Sequence, residues 1–539
     1  MLQIARQLCP RRLTTIVRSH HSFPVMAKRD YAAAVGALNT LQSNFSIVDA
    51  IRKSGKGMNK QAIPEMIEWC RKIGYEPSNF DRLKAIHIAG TKGKGSTSAF
   101  VSSILAQYIQ PSSASPASPT KIGLYTSPHL RSVRERIQID NESISEELFT
   151  KYFFEVWDRL EAAADAENTP EGTPTKPVYF RYLTLTALHA YLEEGVDSAV
   201  IECGIGGEYD STNILLKPTV TAVTSLGIDH TAMLGSTLPE IAWHKAGIFK
   251  PGSVAFSAPQ KEEAITVLQE RAKERDTELH VIDVHPDLAS NKIKLGLSAS
   301  FQKINASVAI AVAAAHLRAL GHTSIPDPTS TPHIELPAEF IKGLEDVRWP
   351  GRCEVRREKN VAWHIDGGHT LESIEVTGQW FAEQMAAANA APGSAKAAPR
   401  IMIFNQQTRD ANALAKALYK ALQTGITADA TSPFTHVIFT TNQTFSEGYK
   451  PDLVSINTNQ QDVDSLAVQK ALAKTWSEID STADVKVLKT IEEAVTTARG
   501  IAGDWAREAG AEAEVMVLIT GSLHLVGGAL EMLETHPAK

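Results

Sequence analysis

The chain has 539 residues, too many for one ordinary hydrophobic core, and two domains are expected. Hydrophobic residues make up 43% and charged residues 21%, a globular composition, and no apolar run reaches the length of a membrane span. A net charge of −7 with a pI near 6.2 gives no electrostatic reason for a nucleic-acid partner.

Residues 1–25 carry Arg6, Arg11, Arg12 and Arg18, several Ser and Thr, and no acid before Asp30. That is the composition of a mitochondrial transit peptide, and equally of a disordered basic tail. Met26 follows, and initiation there would give a leaderless form. A mitochondrial location (matrix or inner-membrane-associated) together with a cytoplasmic one is expected. Cys9, Cys70, Cys203 and Cys353 are far apart and form no Cys-x-x-Cys pair, so neither a disulfide framework nor a zinc site is indicated.

Short apolar strands then alternate with amphipathic helices, which predicts α/β layering around a largely parallel sheet. The first strand, 85–89, runs into Gly90-Thr-Lys-Gly-Lys-Gly-Ser96. Glycines at such a turn let backbone N–H groups converge on phosphate oxygens. Lys94 adds charge, and a helix starting near Ser96 adds its dipole. The standard P-loop has Gly-Lys-Ser/Thr in a row, whereas Gly95 separates Lys94 from Ser96. A phosphate site and a ligand-free turn both remain open at this point. Phe100, Ile104 and Tyr108, with Val101 and Leu105 beside them, form the buried face of the helix that follows.

A strand at 121–125 leads into Ser127-Pro-His-Leu-Arg-Ser-Val-Arg-Glu-Arg136. A hydroxyl with Arg131, Arg134 and Arg136 suits a multiply charged anionic substrate; a solvated basic loop is the alternative. The strand 198–203 puts Glu202 just before a glycine turn, at the sheet edge where ligands of open α/β sheets gather. Tyr209 stands where a dinucleotide fingerprint needs glycine. A buried glutamate is costly unless paired or bound to metal. Helix capping or pairing with an arginine would also satisfy it. The strand 219–225 ends in Ser225-Leu-Gly-Ile-Asp-His230, and His244-Lys245 follows on a predicted helix. An imidazole with carboxylate and hydroxyl oxygens can complete the shell of a Mg²⁺ held mainly by phosphates and water. Because the phosphate loop, Glu202 and His230 all fall at carboxyl ends of strands in one predicted sheet, they can converge.

Segments 111–120, 162–177, 323–337 and 386–399 read as surface insertions. The break at 347–351, with Trp349-Pro-Gly, marks the domain boundary, and strands at 361–366, 400–405, 436–441, 485–488 and 515–520 form a second α/β series. Arg352 can reach phosphates across the cleft, and Asp366 can accept ribose hydroxyls. Ser522, after the last strand, can face the same cleft.

Together these segments resemble the folylpolyglutamate synthases, within the Mur-ligase-like family of ATP-dependent amide-forming enzymes. The resemblance spans nearly the whole chain after the leader. It rests on Gly90-Thr-Lys-Gly-Lys-Gly-Ser-Thr97, Ser127-Pro-His-Leu-Arg-Ser-Val-Arg-Glu-Arg-Ile137, Phe180-Arg-Tyr-Leu-Thr-Leu-Thr186, Glu202-Cys-Gly-Ile-Gly-Gly-Glu-Tyr-Asp-Ser-Thr-Asn213, Leu226-Gly-Ile-Asp-His230, His244-Lys-Ala-Gly-Ile-Phe-Lys250, Trp349-Pro-Gly-Arg352, Asp366-Gly-Gly-His-Thr370 and Thr520-Gly-Ser-Leu-His-Leu-Val-Gly-Gly528. The split phosphate loop is itself a feature of that family. Gly368 replaces the family's commoner alanine, a loss of one methyl group.

The resemblance implies an N-terminal P-loop-type ATPase domain at 26–347, a linker at 348–351 and a smaller Rossmann-like domain at 352–539. It implies ATP-dependent addition of L-glutamate to the γ-carboxylate of reduced folyl-glutamates through an acyl phosphate, by a monomer. Gly93, Lys94, Gly95 and Ser96 would hold phosphates, with Arg352 and Asp366 reaching ATP from the second domain and Asn305 near the adenine. Ser127, Glu202 and His230 would ligate Mg²⁺, and the family also admits a monovalent cation. Lys245 matches a lysine carbamylated in several members. Arg136, His369 and Ser522 match positions linked to the incoming glutamate; Lys94, Lys245, Asp366 and His369 are the expected catalytic set. Dihydrofolate synthase, which adds glutamate to dihydropteroate, is the nearest alternative. A nucleotide-binding regulator that has lost catalysis is the alternative from another class.

Overall fold

Runs of three to five residues, most of them apolar and buried on both faces, form the strands of the first sheet: β1 (Ile86–Ala89), β2 (Ile122–Tyr125), β5 (Ser198–Glu202), β6 (Val220–Val223), β7 (Val254–Ser257) and β8 (Leu279–Val281). They are mutually parallel, and an antiparallel extension, β3 (Ile137–Ile139) and β4 (Glu142–Ser143), continues from β2. The order across the sheet is β4-β3-β2-β5-β1-β6-β7-β8. The loops that leave β2, β5, β1 and β6 therefore lie side by side at one edge.

The computed structural model describes residues 28–42, 60–110, 118–170, 172–330, 335–389, 398–407, 409–423, 432–446, 465–509 and 514–536. The basic leader, Cys9 and Met26 lie outside the described residues.

One face of the first sheet is covered by the helices Lys94–Ala106, Gln302–Leu320 and Ala338–Asp346, the other by Ala62–Lys72, Glu146–Ala166 and Tyr179–Glu193. Gln302–Leu320 is the one helix among the described residues long and apolar enough to cross a membrane, contrary to the expectation that no run reaches that length. Of its apolar 18-residue window, 72% is buried, and the helix packs along the phosphate-loop helix Lys94–Ala106.

The second sheet begins after the helix Ala338–Asp346. It contains β9 (Glu354–Glu358), β10 (Val361–Ile365), β11 (Arg400–Phe404), β12 (His436–Phe439), β13 (Asp484–Val487) and β14 (Val515–Thr520), in the order β13-β12-β11-β14-β10-β9. All pairings are parallel except β9 with β10. The chain is thus a two-domain α/β protein with mostly parallel sheets. Edge strand β9, Glu-Val-Arg-Arg-Glu, carries charges on both faces and gives no apolar signal in the sequence. Two stretches expected to open surface insertions, 162–166 and 386–389, are instead the last turns of helices Glu146–Ala166 and Leu371–Asn389.

Candidate active site between the two sheets

The phosphate-loop helix starts at Lys94, two residues before the expected start, with Gly93 as its N-cap at φ 86°. A Cβ at Gly93 would overlap the Asn305 side chain, and one at Gly90 would overlap Thr224. Only glycine fits where the loop both turns left-handed and presses on its neighbours. The loop backbone is further fixed by Thr91 and Lys92 N–H groups donating to Ser225 O, and by Thr224 Oγ1 donating to Lys92 O at 2.6 Å. Asn305, expected near the adenine, lies behind the loop; its Nδ2 donates to Gln302 Oε1, and Gln302 Nε2 donates to Ser96 Oγ at 3.1 Å. Gly95 carries the indole of Trp349, from the inter-domain linker, against its Cα.

Lys94 Nζ donates to Gly90 O at 3.1 Å and lies 3.9 Å from Glu202 Oε1. Lys245 Nζ donates to the same carbonyl at 2.7 Å. Lys245 is 3% exposed, and burial, reinforced by Lys94, pushes its ammonium down to about 7. The two amino groups on one carbonyl repel each other when both are protonated, which favours a neutral Lys245.

Glu202 ends β5 and is also 3% exposed. Burial raises its carboxyl, opposed by Lys94, the Ser127 N–H, Arg352 and Arg136. Ser127 N donates to Glu202 Oε2 at 3.2 Å, while Oε1 faces Lys94 beyond hydrogen-bond reach. The carboxylate therefore stands close to the phosphate loop and to arginines from both domains. His230, at φ 51°, is exposed at the rim, and its N–H donates to Asp229 Oδ1.

The glycine turn after Glu202 is locked to the helix Leu238–Lys245. Glu208 N donates to His244 O at 2.7 Å, and Asn213 Nδ2 bridges Glu208 O and Gly247 O. Buried Asp210 accepts from Ile205 N and from the Thr212 N–H and hydroxyl. Through these contacts the acid and the amide of the motif act structurally and set Lys245 beside Gly90.

Arg136 donates from Nε to His129 Nδ1 at 2.8 Å and stacks on Tyr179, 5.6 Å from the ring centre. Of the other expected basic residues, Arg131 pairs with Glu534 of the second domain, and Arg134 with the Ile144 carbonyl.

In the second domain, Asp366, His369 and Ser522 follow neighbouring strands, and Gly521 N donates to Gly368 O at 3.1 Å. Asp366 is taken up by its own domain: Gly368 N and Thr377 Oγ1 donate to Oδ1, and Cys353 N to Oδ2. This fixes the loop carrying Arg352, whose guanidinium lies against Gly367. His369 Nδ1 bonds the Gly367 carbonyl at 2.9 Å, and burial, with Arg352, Arg409 and Lys92 nearby, holds its imidazole below the usual range. Ser522 Oγ donates to Asn442 Oδ1 at 3.2 Å, within an amide cluster with Asn405 and Gln407.

Two residues that the sequence does not single out join the domains: Lys92 Nζ donates to Thr370 Oγ1 at 2.8 Å, and Arg409 lies 3.8 Å from Asp229. Lys92 sits inside the glycine-rich loop motif, but its partner is 278 residues away and nothing local announces it.

No protein-family model matches the chain. It is 45% identical over 532 residues to the folylpolyglutamate synthase of Neurospora crassa, covering 97% of this chain and 96% of that one. With the Saccharomyces cerevisiae S288c folylpolyglutamate synthase it shares 45% identity over 514 residues, 94% of this chain and 88% of that one. Among solved structures, the Mycobacterium tuberculosis folylpolyglutamate synthase complexed with ADP matches at a TM-score of 0.65 and 21% identity, covering 95% of this chain and all of that one. The Thermotoga maritima folylpolyglutamate synthase matches at 0.61 and 22% identity, covering 94% of this chain and 98% of that one. The chain belongs to the folylpolyglutamate synthase family.

Proposed function

We infer that the chain is an ATP-dependent ligase that adds L-glutamate to the γ-carboxylate of reduced folyl-glutamates, producing folylpolyglutamates, ADP and phosphate. The observation that carries the reading is the meeting of Lys94, Glu202 and Arg136 of the first domain with Arg352 of the second. A carboxylate is a poor electrophile because its leaving group would be oxide. Its oxygen attacks the γ-phosphorus of ATP, the bond to ADP breaks, and an acyl phosphate forms. The glutamate amine then attacks the acyl carbon, and phosphate leaves as the amide forms. The protein's part is positioning and charge neutralisation.

Lys94, Ser96 and the N–H groups of residues 93–96 are suited to the phosphates, with Arg352 assigned to the nucleotide from the second domain and Asp366 to holding the loop that carries it. The bond from His369 Nδ1 to the Gly367 carbonyl places its proton on Nδ1 and leaves Nε2 as an acceptor. His369 can therefore take the proton that the incoming amine sheds, with Arg136 and Ser522 holding that glutamate. The buried Glu202 carboxylate, with one N–H donor and no hydrogen bond from Lys94, keeps acceptor capacity for a divalent cation, whose shell is assigned to Ser127 and His230 as well. Mg²⁺ bound there would neutralise phosphate charge. Closure of the domains would keep water from the acyl phosphate. Residues 1–25 are assigned to mitochondrial targeting, with a cytoplasmic form starting at Met26.

The test is glutamate incorporation with ATP and Mg²⁺, comparing a tetrahydrofolyl glutamate with dihydropteroate. Incorporation into the folyl glutamate is expected; activity on dihydropteroate alone would make the protein a dihydrofolate synthase.

A further inference from the structure

We propose that Lys92 is a positioning residue that couples the phosphate loop to the His369 loop, so that docking of the second domain aligns the acceptor imidazole with bound nucleotide. The proposal rests on the ligase reading above.

The Lys92 backbone is clamped to the end of β6 by Ser225 O and Thr224 Oγ1, so its side chain reports where the phosphate loop lies. Its ammonium crosses to the second domain, donating to Thr370 Oγ1 at 2.8 Å with Glu372 at 3.9 Å. Thr370 directly follows His369 and, with Ser373, forms the entry to the helix Leu371–Asn389; Ser373 Oγ accepts the N–H groups of both His369 and Thr370. A shift of Lys92 is therefore passed to the His369 backbone through one hydroxyl pair.

The contact is a poor candidate for mere stability. A cation at a helix N-terminus opposes the helix dipole, and a partly exposed ion pair adds little to stability. Glu372, in the first turn, offsets that cost and lies against Gly227 of the first domain. On either side of these contacts the two rims expose apolar side chains, Ile228 at 43% and Leu371 at 53%, which tighter docking would cover.

The experiment compares the full-length protein with Lys92→Met, Lys92→Arg, Thr370→Val, Thr370→Ser and the Lys92→Met/Thr370→Val pair. Readouts are ADP affinity by calorimetry, kcat and the KM for glutamate, and the radius of gyration by small-angle scattering. Lys92→Met should leave the ADP Kd within roughly threefold, lower turnover roughly 10- to 100-fold with a raised glutamate KM, and expand the molecule. Lys92→Arg and Thr370→Ser should recover part of the loss, and the pair should be no worse than Lys92→Met alone. A parallel loss of ADP affinity would make Lys92 a phosphate ligand instead and overturn the proposal. So would additive losses in the pair, or an unchanged radius of gyration. If the wild-type protein incorporates no glutamate, the ligase reading falls, while scattering and calorimetry still decide whether Lys92 couples the domains.

Discussion

Lys94 and Lys245 share one acceptor, the carbonyl of Gly90, at 3.1 and 2.7 Å. One is the phosphate-loop lysine, and the other arrives on a different helix, held there by Glu208, Asp210 and Asn213. Their repulsion is relieved if Lys245 sheds its proton, and burial drives that deprotonation.

A neutral Lys245 amine near pH 7 is a nucleophile for CO₂, giving a carbamate and releasing a proton. The product would turn repulsion of Lys94 into attraction. Protein equilibrated with ¹³C-bicarbonate should show a carbamate carbon signal that disappears in Lys245→Ala, together with most of the activity. A silent spectrum with full activity in Lys245→Ala would remove this role.

The same shift fixes a pH dependence of stability. With its folded pKa near 7 and its unfolded one near the usual lysine value, Lys245 binds fewer protons when folded across the interval between them. Its burial penalty is fully present below the folded pKa and fades as pH rises towards the unfolded one. Protein kept free of CO₂ should therefore gain stability from this group between about pH 7 and pH 10. Denaturant unfolding of Lys245→Met should lack that component of the rise; an identical profile in both proteins would contradict the assignment.

Glu202→Gln keeps the shape of the side chain and removes a carboxylate that burial already disfavours. It should unfold cooperatively like the wild type but lose roughly 100- to 1,000-fold in turnover, since the carboxylate assigned to the divalent cation that neutralises phosphate charge is missing. Undiminished turnover would take Glu202 out of the site.

Gly93→Ala would strain a residue at φ 86° and push into Asn305. A loss of about 1–3 kcal/mol in unfolding free energy is expected, with weakened ADP binding. Adding Asn305→Ala should recover the steric part and leave the backbone part. Equal stability of Gly93→Ala and wild type would show that the loop is not held as described.

What the sequence discloses here follows from how local the signal is. Strands β1, β5, β10 and β14 are legible as short apolar runs because they are buried on both faces, and Glu202 stands out as an acid at the end of one. Edge strand β9 and the short β3–β4 pair carry polar residues facing solvent and have no such run. Asp366 looks like a ligand to ribose from its place at a strand end, yet its oxygens are met by Gly368, Thr377 and Cys353, partners set by tertiary folding. Lys92 shows the same limit from the other side, an ordinary loop lysine until the second domain brings Thr370 to it.

The proposed catalysis turns on ATP activating a folate carboxylate for attack by glutamate. A folyl glutamate labelled with ¹⁸O in its γ-carboxylate, incubated with ATP, Mg²⁺ and L-glutamate, tests this in one experiment. Each glutamate added should release one ADP and one phosphate carrying one ¹⁸O atom, because the labelled oxygen leaves with phosphorus. Glutamate addition with unlabelled phosphate would contradict the acyl-phosphate route, and ATP hydrolysis without glutamate addition would contradict the ligase itself.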